Sequence, residues 1–308
     1  MMFKVFIDGG EGTTGLRLAQ RLKQRKDIEL LSISADLRKN LDARLEKIDM
    51  ADVAFLCLPD AASREVAAAA RDCDTKIIDT STAFRCDPNW AYGFPELGSS
   101  YFHAIQESCR ISNPGCHATG SIAVLAPLVK AGLIAPDGLY TLTSLTGYSG
   151  GGKKMIASYE NLHDKELDAP RIYGLNQQHK HLPEILKYAG LEQSPIFLPI
   201  VALYYAGMLV TAGFAMPQDL SLAAVRKLYA DFYRDQAFIT VVQNEELPKM
   251  LGSNTLAGKD SLRIYVCGNE DRFTVSAQFD NLGKGASGAA IENMNIAMGL
   301  DPATGLEL

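Results

Sequence analysis

The sequence predicts an α/β chain of two domains. The first is a Rossmann-type doubly wound parallel sheet, and the second an α+β catalytic domain on a mixed or antiparallel sheet. Three observations carry this reading. The first third alternates short apolar runs with segments of helical period. A glycine-rich turn joins its first strand to its first helix. Beyond about residue 138 strand-like runs predominate and helices become sparse. A length of 308 residues suits two ordinary domains.

Residues 3–7 read as the first strand, 9–15 as the turn, and 14–25 as a helix with Leu16, Leu18, Ala19 and Leu22 at helical spacing. Strands follow at 28–34 and 53–58, then a helix at 61–71 and a strand at 76–79. A further strand ends near Ile111-Ser112. In the second part, strands are expected at 139–145, 196–200, 208–214, 238–242, 263–266 and 273–279, with a helix at 221–233. Residues 286–298 return to a helix.

Apolar residues make up 47% of the chain and charged residues 21%, which excludes a disordered protein. No apolar run approaches the roughly 18 residues of a bilayer span. Met1-Met2-Phe3-Lys4 also lacks the layout of a signal peptide, so a cytoplasmic protein with no membrane partner is expected. The net charge is −6 without a basic block, which argues against nucleic acid as the main partner. Six cysteines lie at wide, irregular spacings with no Cys-x-x-Cys pair, which fits neither a disulfide framework nor a zinc site. Most are expected to be small buried side chains.

Gly9, Gly12 and Gly15, with Thr13 and Thr14 between them, follow a strand and open a helix. Glycines there allow a tight turn, let the backbone approach a pyrophosphate and set a helix N-terminus against it. The second strand ends in Ser34, followed by Asp36, Arg38 and Lys39. A serine with two nearby cations suits a 2′-phosphate, hence NADP, while Asp36 leaves NAD open.

Cys116 stands apart from the other cysteines. It follows Asn113-Pro114-Gly115 and precedes a helical apolar stretch, so it falls at a helix N-terminus, where the dipole favours a thiolate. Of the five histidines, only His179 and His181 form a close pair, just ahead of a helix beginning at Pro183. Extended, both would project to one side, and either is a candidate acid or base for Cys116, with Glu184 as an orienting carboxylate. A metal held by this pair, with Glu184, would need a ligand of matching context from elsewhere, and no other His or Cys cluster provides one, so no metal is expected. Ser149, Gly150 and the following glycines offer backbone N–H groups for an anion, with Lys153 as added charge.

Several segments together carry a family resemblance. They are the 9–15 loop, Asp79-Thr80-Ser81-Thr82-Ala83-Phe84-Arg85, residues 90–97, Ser112 to Gly120, Ser149 to Lys153, His179-Lys180-His181-Leu182-Pro183-Glu184-Ile185 and Asp280 to Ala286. In these the chain resembles the shorter bacterial form of the N-acetyl-gamma-glutamyl-phosphate reductase family, within the aspartate-semialdehyde dehydrogenase-like superfamily. His117 departs from the longer form, where a small or aromatic residue follows the cysteine.

The resemblance implies NADPH-dependent reduction of an acyl phosphate through a Cys116 thioester, in arginine biosynthesis, by a homodimer or homotetramer. It implies Arg85 as a phosphate-side arginine and carries Asn113 as a substrate contact. Ser81, Asn281, Lys284 and Gly285 are carried as cofactor contacts. It also implies that the last helix packs back onto the first domain. The domains expected are 1–115 with 285–308 for NADP, and 116–284 for catalysis and oligomerisation. Related reductases acting on aspartyl phosphate or a carrier-bound aminoadipyl phosphate share this chemistry. A nucleotide-sensing protein without activity is the reading of a different class.

Overall fold

The computed structural model describes residues 2–71, 73–161 and 164–308. The chain divides into two compact units, Met1–Pro114 with Ala286–Leu306, and Gly115–Gly285 with Glu307–Leu308.

The first unit runs β1 (Phe3–Asp8), α1 (Thr13–Leu22), β2 (Ile28–Leu31), α2 (Leu41–Asp49), β3 (Val53–Leu56), α3 (Asp60–Ala69), β4 (Lys76–Asp79), β5 (Ala91–Tyr92), α4 (Ser99–Glu107) and β6 (Arg110–Ser112). Its six strands are all parallel, in the order β2-β1-β3-β4-β6-β5. The order reverses between β1 and β3, a 2-1-3-4 type of switch point, where doubly wound sheets bind their ligands. Alternate side chains feed two cores. Val5, Val53, Phe55 and Ile78 pack with Leu18 and Leu22 of α1, while Phe6, Ala54, Leu56 and Ile77 pack with Ile48 of α2 and Val66 of α3.

Two differences from the sequence reading bear on the site. The expected strand at 28–34 stops at Leu31, because its register with β1 ends at the Phe6–Leu31 pair. Ser34, Arg38 and Lys39 therefore lie on exposed turns. Helix α2 was not expected. Asn40 caps it by accepting from the Ala43 N–H, and Arg44 reaches back to a buried ion pair with Asp8, 2.7 Å away.

The second unit runs α5 (Cys116–Lys130), β7 (Thr141–Gly147), α6 (Gly152–Asn161), β8 (Arg171–Ile172), α7 (Leu182–Ala189), β9 (Ile196–Ala202), β10 (Met208–Ala215), α8 (Leu222–Phe232), β11 (Ile239–Val241), β12 (Leu262–Gly268) and β13 (Arg272–Phe279). The sheet order is β11-β12-β13-β10-β7-β9-β8. β11–β12 and β7–β9 are parallel and the other pairs antiparallel, so the sheet is mixed.

Helix α5 is buried through most of its length and packs on β10 and β13. Gly120 permits this, since a Cβ there would lie 2.5 Å from Val210 and 2.7 Å from Phe279. Pro127 within α5 has no N–H for the Ala123 carbonyl, and the Tyr233 hydroxyl donates to that carbonyl instead, at 3.0 Å. The chain then passes a short π-helical turn at Gly283–Ser287 and ends in α9 (Gly288–Ala297). Ala290, Ile291, Met294 and Ile296 of α9 complete the Val5–Leu18 core of the first unit. Among the described residues no helix is long and apolar enough to cross a membrane.

Candidate active site

In the first unit the glycine loop is built for close backbone approach. Gly9 has φ +81°, and a Cβ on it would lie 2.3 Å from the Cys57 carbonyl oxygen; one on Gly15 would lie 2.6 Å from the Gly9 oxygen. Gly12 is the N-cap of α1, with no side-chain cap and no acidic residue in the first turn. The N–H groups of Thr13 and Thr14 thus begin a helix without a competing anion. Thr13 Oγ1 is buried without a hydrogen-bond partner. These features suit the pyrophosphate of a dinucleotide. Arg38 pairs with Glu11 of the loop, both side chains being largely exposed. Such a pair is worth at most about 1 kcal/mol and yields readily to a phosphate.

Several residues expected at ligands are engaged by the protein itself. Ser81 donates to Asp79 Oδ1 at 2.6 Å, closing the turn after β4. Arg85 is buried, and its guanidinium donates to the Asn113 carbonyl (2.9 Å) and the Thr80 carbonyl (3.0 Å). The Asn113 amide donates to the Ala286 carbonyl at 3.1 Å and accepts from Asn293 of α9 at 3.1 Å. Arg85 and Asn113 thus brace the segment that leads to Cys116. A basic or amide side chain in a motif does not reveal its direction, and here both point inward.

In the second unit the same holds for Asn281, which donates to Ser149 Oγ at 3.0 Å and accepts from the Gly207 N–H at 2.8 Å. Ser149 is buried in a 3-10 turn (Tyr148–Gly151), which replaces the loop expected around Gly150 and leads directly into α6. Gly150 and Lys153 are exposed. Lys284 is wholly buried, its ammonium 4.9 Å from the centre of the Phe238 ring. Gly285 is set against the cysteine, where a Cβ would approach that of Cys116 to 2.9 Å. Any side chain at 285 would displace it.

Cys116 opens α5 with Gly115 as N-cap, and is partly exposed. The Gly115 N–H donates to Glu184 Oε1 at 2.9 Å, a buried carboxylate in the first turn of α7. Glu184 therefore anchors the backbone of the cysteine segment. Residues 179–181 form a turn and are not extended, with His181 in the helical region of backbone space. Gln177 pins this turn to β9 by exchanging two hydrogen bonds with the Phe197 backbone, at 2.8 and 2.9 Å.

Both histidines still converge, and they meet a third. His117 lies with its ring centre 5.4 Å from that of His179, 5.7 Å from His181 and 5.3 Å from Phe197. Its Nδ1 is 2.7 Å from Ser144 Oγ and its Nε2 is 2.6 Å from the Tyr173 hydroxyl. Ser144 and Tyr173 belong to no spaced motif, and His117 carried a signal only as the neighbour of Cys116.

Burial sets the charge here. It pushes the His117 imidazole down to about 3, helped by His179 and Lys180, and His179 down to about 4, helped by Lys180. Both are neutral near pH 7. His179 Nδ1 accepts from the His181 backbone N–H at 3.3 Å, so its proton sits on Nε2. Burial also raises the Tyr173 phenol, with the charge of Cys116 second.

The remaining cysteines differ from expectation in part. Cys86 and Cys109 are exposed and Cys57, Cys73 and Cys267 partly so, because they fall on loops and strand ends. Burial pushes the Cys57 thiol up to about 12, which makes it inert. Among the described residues no group of three His, Cys, Asp or Glu side chains is arranged to hold a metal.

A parallel nucleotide-type sheet followed by a mixed-sheet unit that starts at a helix-capped cysteine is the plan of the semialdehyde dehydrogenases, a class of oxidoreductase. Residues 4–105 match the semialdehyde dehydrogenase NAD binding domain, and 116–281 the semialdehyde dehydrogenase dimerisation domain. The chain belongs to the N-acetyl-gamma-glutamyl-phosphate reductase family. It is 42% identical over 306 residues to the reductase of that name from Brucella ovis, covering 96% of this chain and 99% of that one, and equally similar to the one from Brucella canis. The fold is shared with a probable aspartate-semialdehyde dehydrogenase from Pseudomonas aeruginosa (TM-score 0.72, 17% identity, 97% and 99% of the two chains). It is likewise shared with aspartate semialdehyde dehydrogenase II from Vibrio cholerae (TM-score 0.71, 16% identity, 97% and 99%).

Proposed function

We propose that this chain reduces N-acetyl-gamma-glutamyl phosphate to N-acetylglutamate 5-semialdehyde and phosphate, with NADPH, through a thioester on Cys116. The observation that carries this reading is Cys116 at the N-terminus of α5, next in the chain to His117, whose ring meets those of His179 and His181, in a chain 42% identical to reductases of that name. The helix N-terminus favours the thiolate. Its sulfur attacks the acyl carbon of the mixed anhydride. The C–S bond forms, the bond to the phosphate oxygen breaks, and phosphate departs with the proton the reaction requires. A bound nicotinamide supplies the hydride that brings the acyl carbon to the aldehyde level. Collapse of the resulting oxyanion breaks the C–S bond and regenerates the thiolate.

His179, neutral with its proton on Nε2, suits the role of donor to the developing oxyanion or the departing phosphate; His181 is its alternate for proton transfer. Glu184 holds the cysteine backbone. Gly9, Gly12, Thr13, Thr14 and Gly15 would take the pyrophosphate, and Ser34, Arg38 and Lys39 the 2′-phosphate, which makes NADP the cofactor. Gly150 and Lys153 are the exposed candidates for the substrate phosphate. The reading extends to a cytoplasmic homodimer or homotetramer in arginine biosynthesis.

The test is the reverse reaction. NADP reduction is followed with phosphate and either N-acetylglutamate semialdehyde or aspartate semialdehyde. Strong preference for the acetylated substrate is expected; preference for aspartate semialdehyde would move the chain to a related acyl-phosphate reductase.

A further inference from the structure

Strand β8 lies at the edge of the second sheet, and its two residues face opposite ways. Ile172 is 46% exposed, whereas Arg171 turns to the face that carries Tyr173 two residues on. Register places Arg171 opposite Val201 of β9, and Val201 opposite Thr146 of β7. The next row on that face is Ser144, Pro199 and Tyr173, where the Tyr173 N–H donates to the Pro199 carbonyl at 3.0 Å. His117, which follows Cys116, bridges Ser144 and Tyr173. Arg171 thus stands one row, about 6.6 Å of strand rise, from the row that His117 covers.

The guanidinium is oriented by the protein but lacks a counter-ion. One Nη donates to the Tyr159 hydroxyl oxygen of α6 at 3.0 Å, and Tyr159 is stacked on Tyr148 with ring centres 4.6 Å apart. Among the described residues, the buried Nε has no hydrogen-bond partner and no carboxylate pairs with Arg171. A guanidinium cannot shed its charge, and a buried N–H without an acceptor is costly, so the group calls for an anion. At the other end of the row, a Cβ on Gly150 would lie 3.5 Å from Thr146 Oγ1. The turn offered to the substrate phosphate and Arg171 therefore flank one row, about 9.6 Å or two strand spacings apart.

We propose that Arg171 binds the α-carboxylate of the N-acetylglutamyl substrate and so selects for it. This rests on the reductase reading above, whose substrate carries two anions, the phosphate and the α-carboxylate. They are six bonds apart, roughly 7.5 Å when extended, which fits between donors at the two ends of the row. Backbone N–H groups in a turn suit the phosphate, and the planar guanidinium suits the carboxylate.

The experiment follows the reverse reaction of the full-length chain at saturating NADP. It compares N-acetylglutamate semialdehyde with 4-acetamidobutanal, the same aldehyde without its α-carboxylate. In the unaltered chain the carboxylate should be worth about 10²-fold in kcat/KM. Arg171→Leu should lose about 10²-fold on N-acetylglutamate semialdehyde, chiefly in KM, and change 4-acetamidobutanal little. The KM for phosphate should not move. Arg171→Lys, which keeps the charge without the planar fork, should lose about 10-fold on the acid alone. Tyr159→Phe should show a smaller loss with the same selectivity.

Equal losses on both aldehydes overturn the proposal, and so does a raised phosphate KM in Arg171→Leu, which would give the arginine to the phosphate. If Arg171→Leu does not fold, Arg171→Lys and Tyr159→Phe decide by the same comparison. Preference of the unaltered chain for aspartate semialdehyde overturns the reductase reading and this inference with it. Preference for N-acetylglutamate semialdehyde, with no selective loss in the Arg171 variants, overturns this inference alone.

Discussion

In the glycine loop the groups offered to a ligand are backbone N–H groups within residues 9–15, in a turn where Gly9 and Gly15 leave no room for a Cβ. Around Cys116 they are side chains drawn from α5, β7, the segment after β8 and the turn before α7, most of them wholly or partly buried. The first arrangement is local and tolerant of sequence outside its glycines. The second depends on distant segments arriving together, so its side chains are held by one another as well as by the backbone. Substitutions should therefore act differently in the two units.

The largest effect is expected at Cys116. Cys116→Ser should remove several orders of magnitude of turnover while NADP affinity, read by nucleotide fluorescence, stays intact, because the hydroxyl is scarcely ionised near pH 7. Cys57→Ser, in the other unit, should change the rate little. Equal rates in Cys116→Ser and the unaltered chain would erase the contrast.

Next comes the histidine turn. His179→Asn should cost about 10²–10⁴-fold in kcat, the usual range for acid–base help, and His181→Asn much less if His179 is the donor. Exhaustive EDTA should leave the rate unchanged. Two histidine variants at full rate would remove proton handling from this turn.

In the first unit the expected loss is smaller and confined to one ligand. Arg38→Ala with Lys39→Ala should weaken NADP by about 1.5–3 kcal/mol and NAD hardly at all, as for a charge-assisted hydrogen bond. Titration calorimetry with both nucleotides measures this. Equal losses would reduce the two cations to surface charges.

The smallest effect concerns pH, and its sign differs between the units. His117 and His179 titrate far below the ordinary 6.5 in the folded chain. As pH falls below 6.5 the unfolded chain takes up protons first, so their contribution to stability is complete above 6.5 and is lost toward about 4 for His179 and about 3 for His117. Asp8 and Asp79 of the first unit are raised above 3.8, chiefly by burial. Their contribution runs the other way, present below 3.8 and lost as pH rises through their folded values. Hydrogen exchange, corrected for intrinsic rates, should show α7 losing protection between pH 7.5 and 5.5 while β3 and β4 do not.

The same contrast explains what the sequence made legible. β1, β4 and the glycine loop follow from runs of adjacent residues, and Cys116 from a Pro-Gly turn ahead of a helix, signals that lie within a few positions. Helices α2 and α4 were missed because their apolar faces are narrow: only Arg44 and Ile48 of α2, and Ile105 of α4, are buried. Asn113, Asn281 and Lys284 were visible as polar residues in motifs, but their inward direction is a property of packing. Tyr173 and Ser144 stand 57 and 28 positions from Cys116, and only the fold brings both to His117.

The first unit is closed by its own distant end. Val5, Leu18 and Leu22 share a core with Ala290, Ile291 and Met294, and Arg25 donates to Asn295 at 2.6 Å. During synthesis this apolar face stays uncovered until α9 leaves the ribosome, after all of 115–285 has been made. At ordinary elongation rates that is roughly 10–30 s. The nascent chain thus carries an open nucleotide sheet for as long as the second unit takes to appear, a window in which chaperones have a surface to hold. A stop codon after 285 would spare every residue of the cysteine cluster and still leave the other unit unable to finish folding.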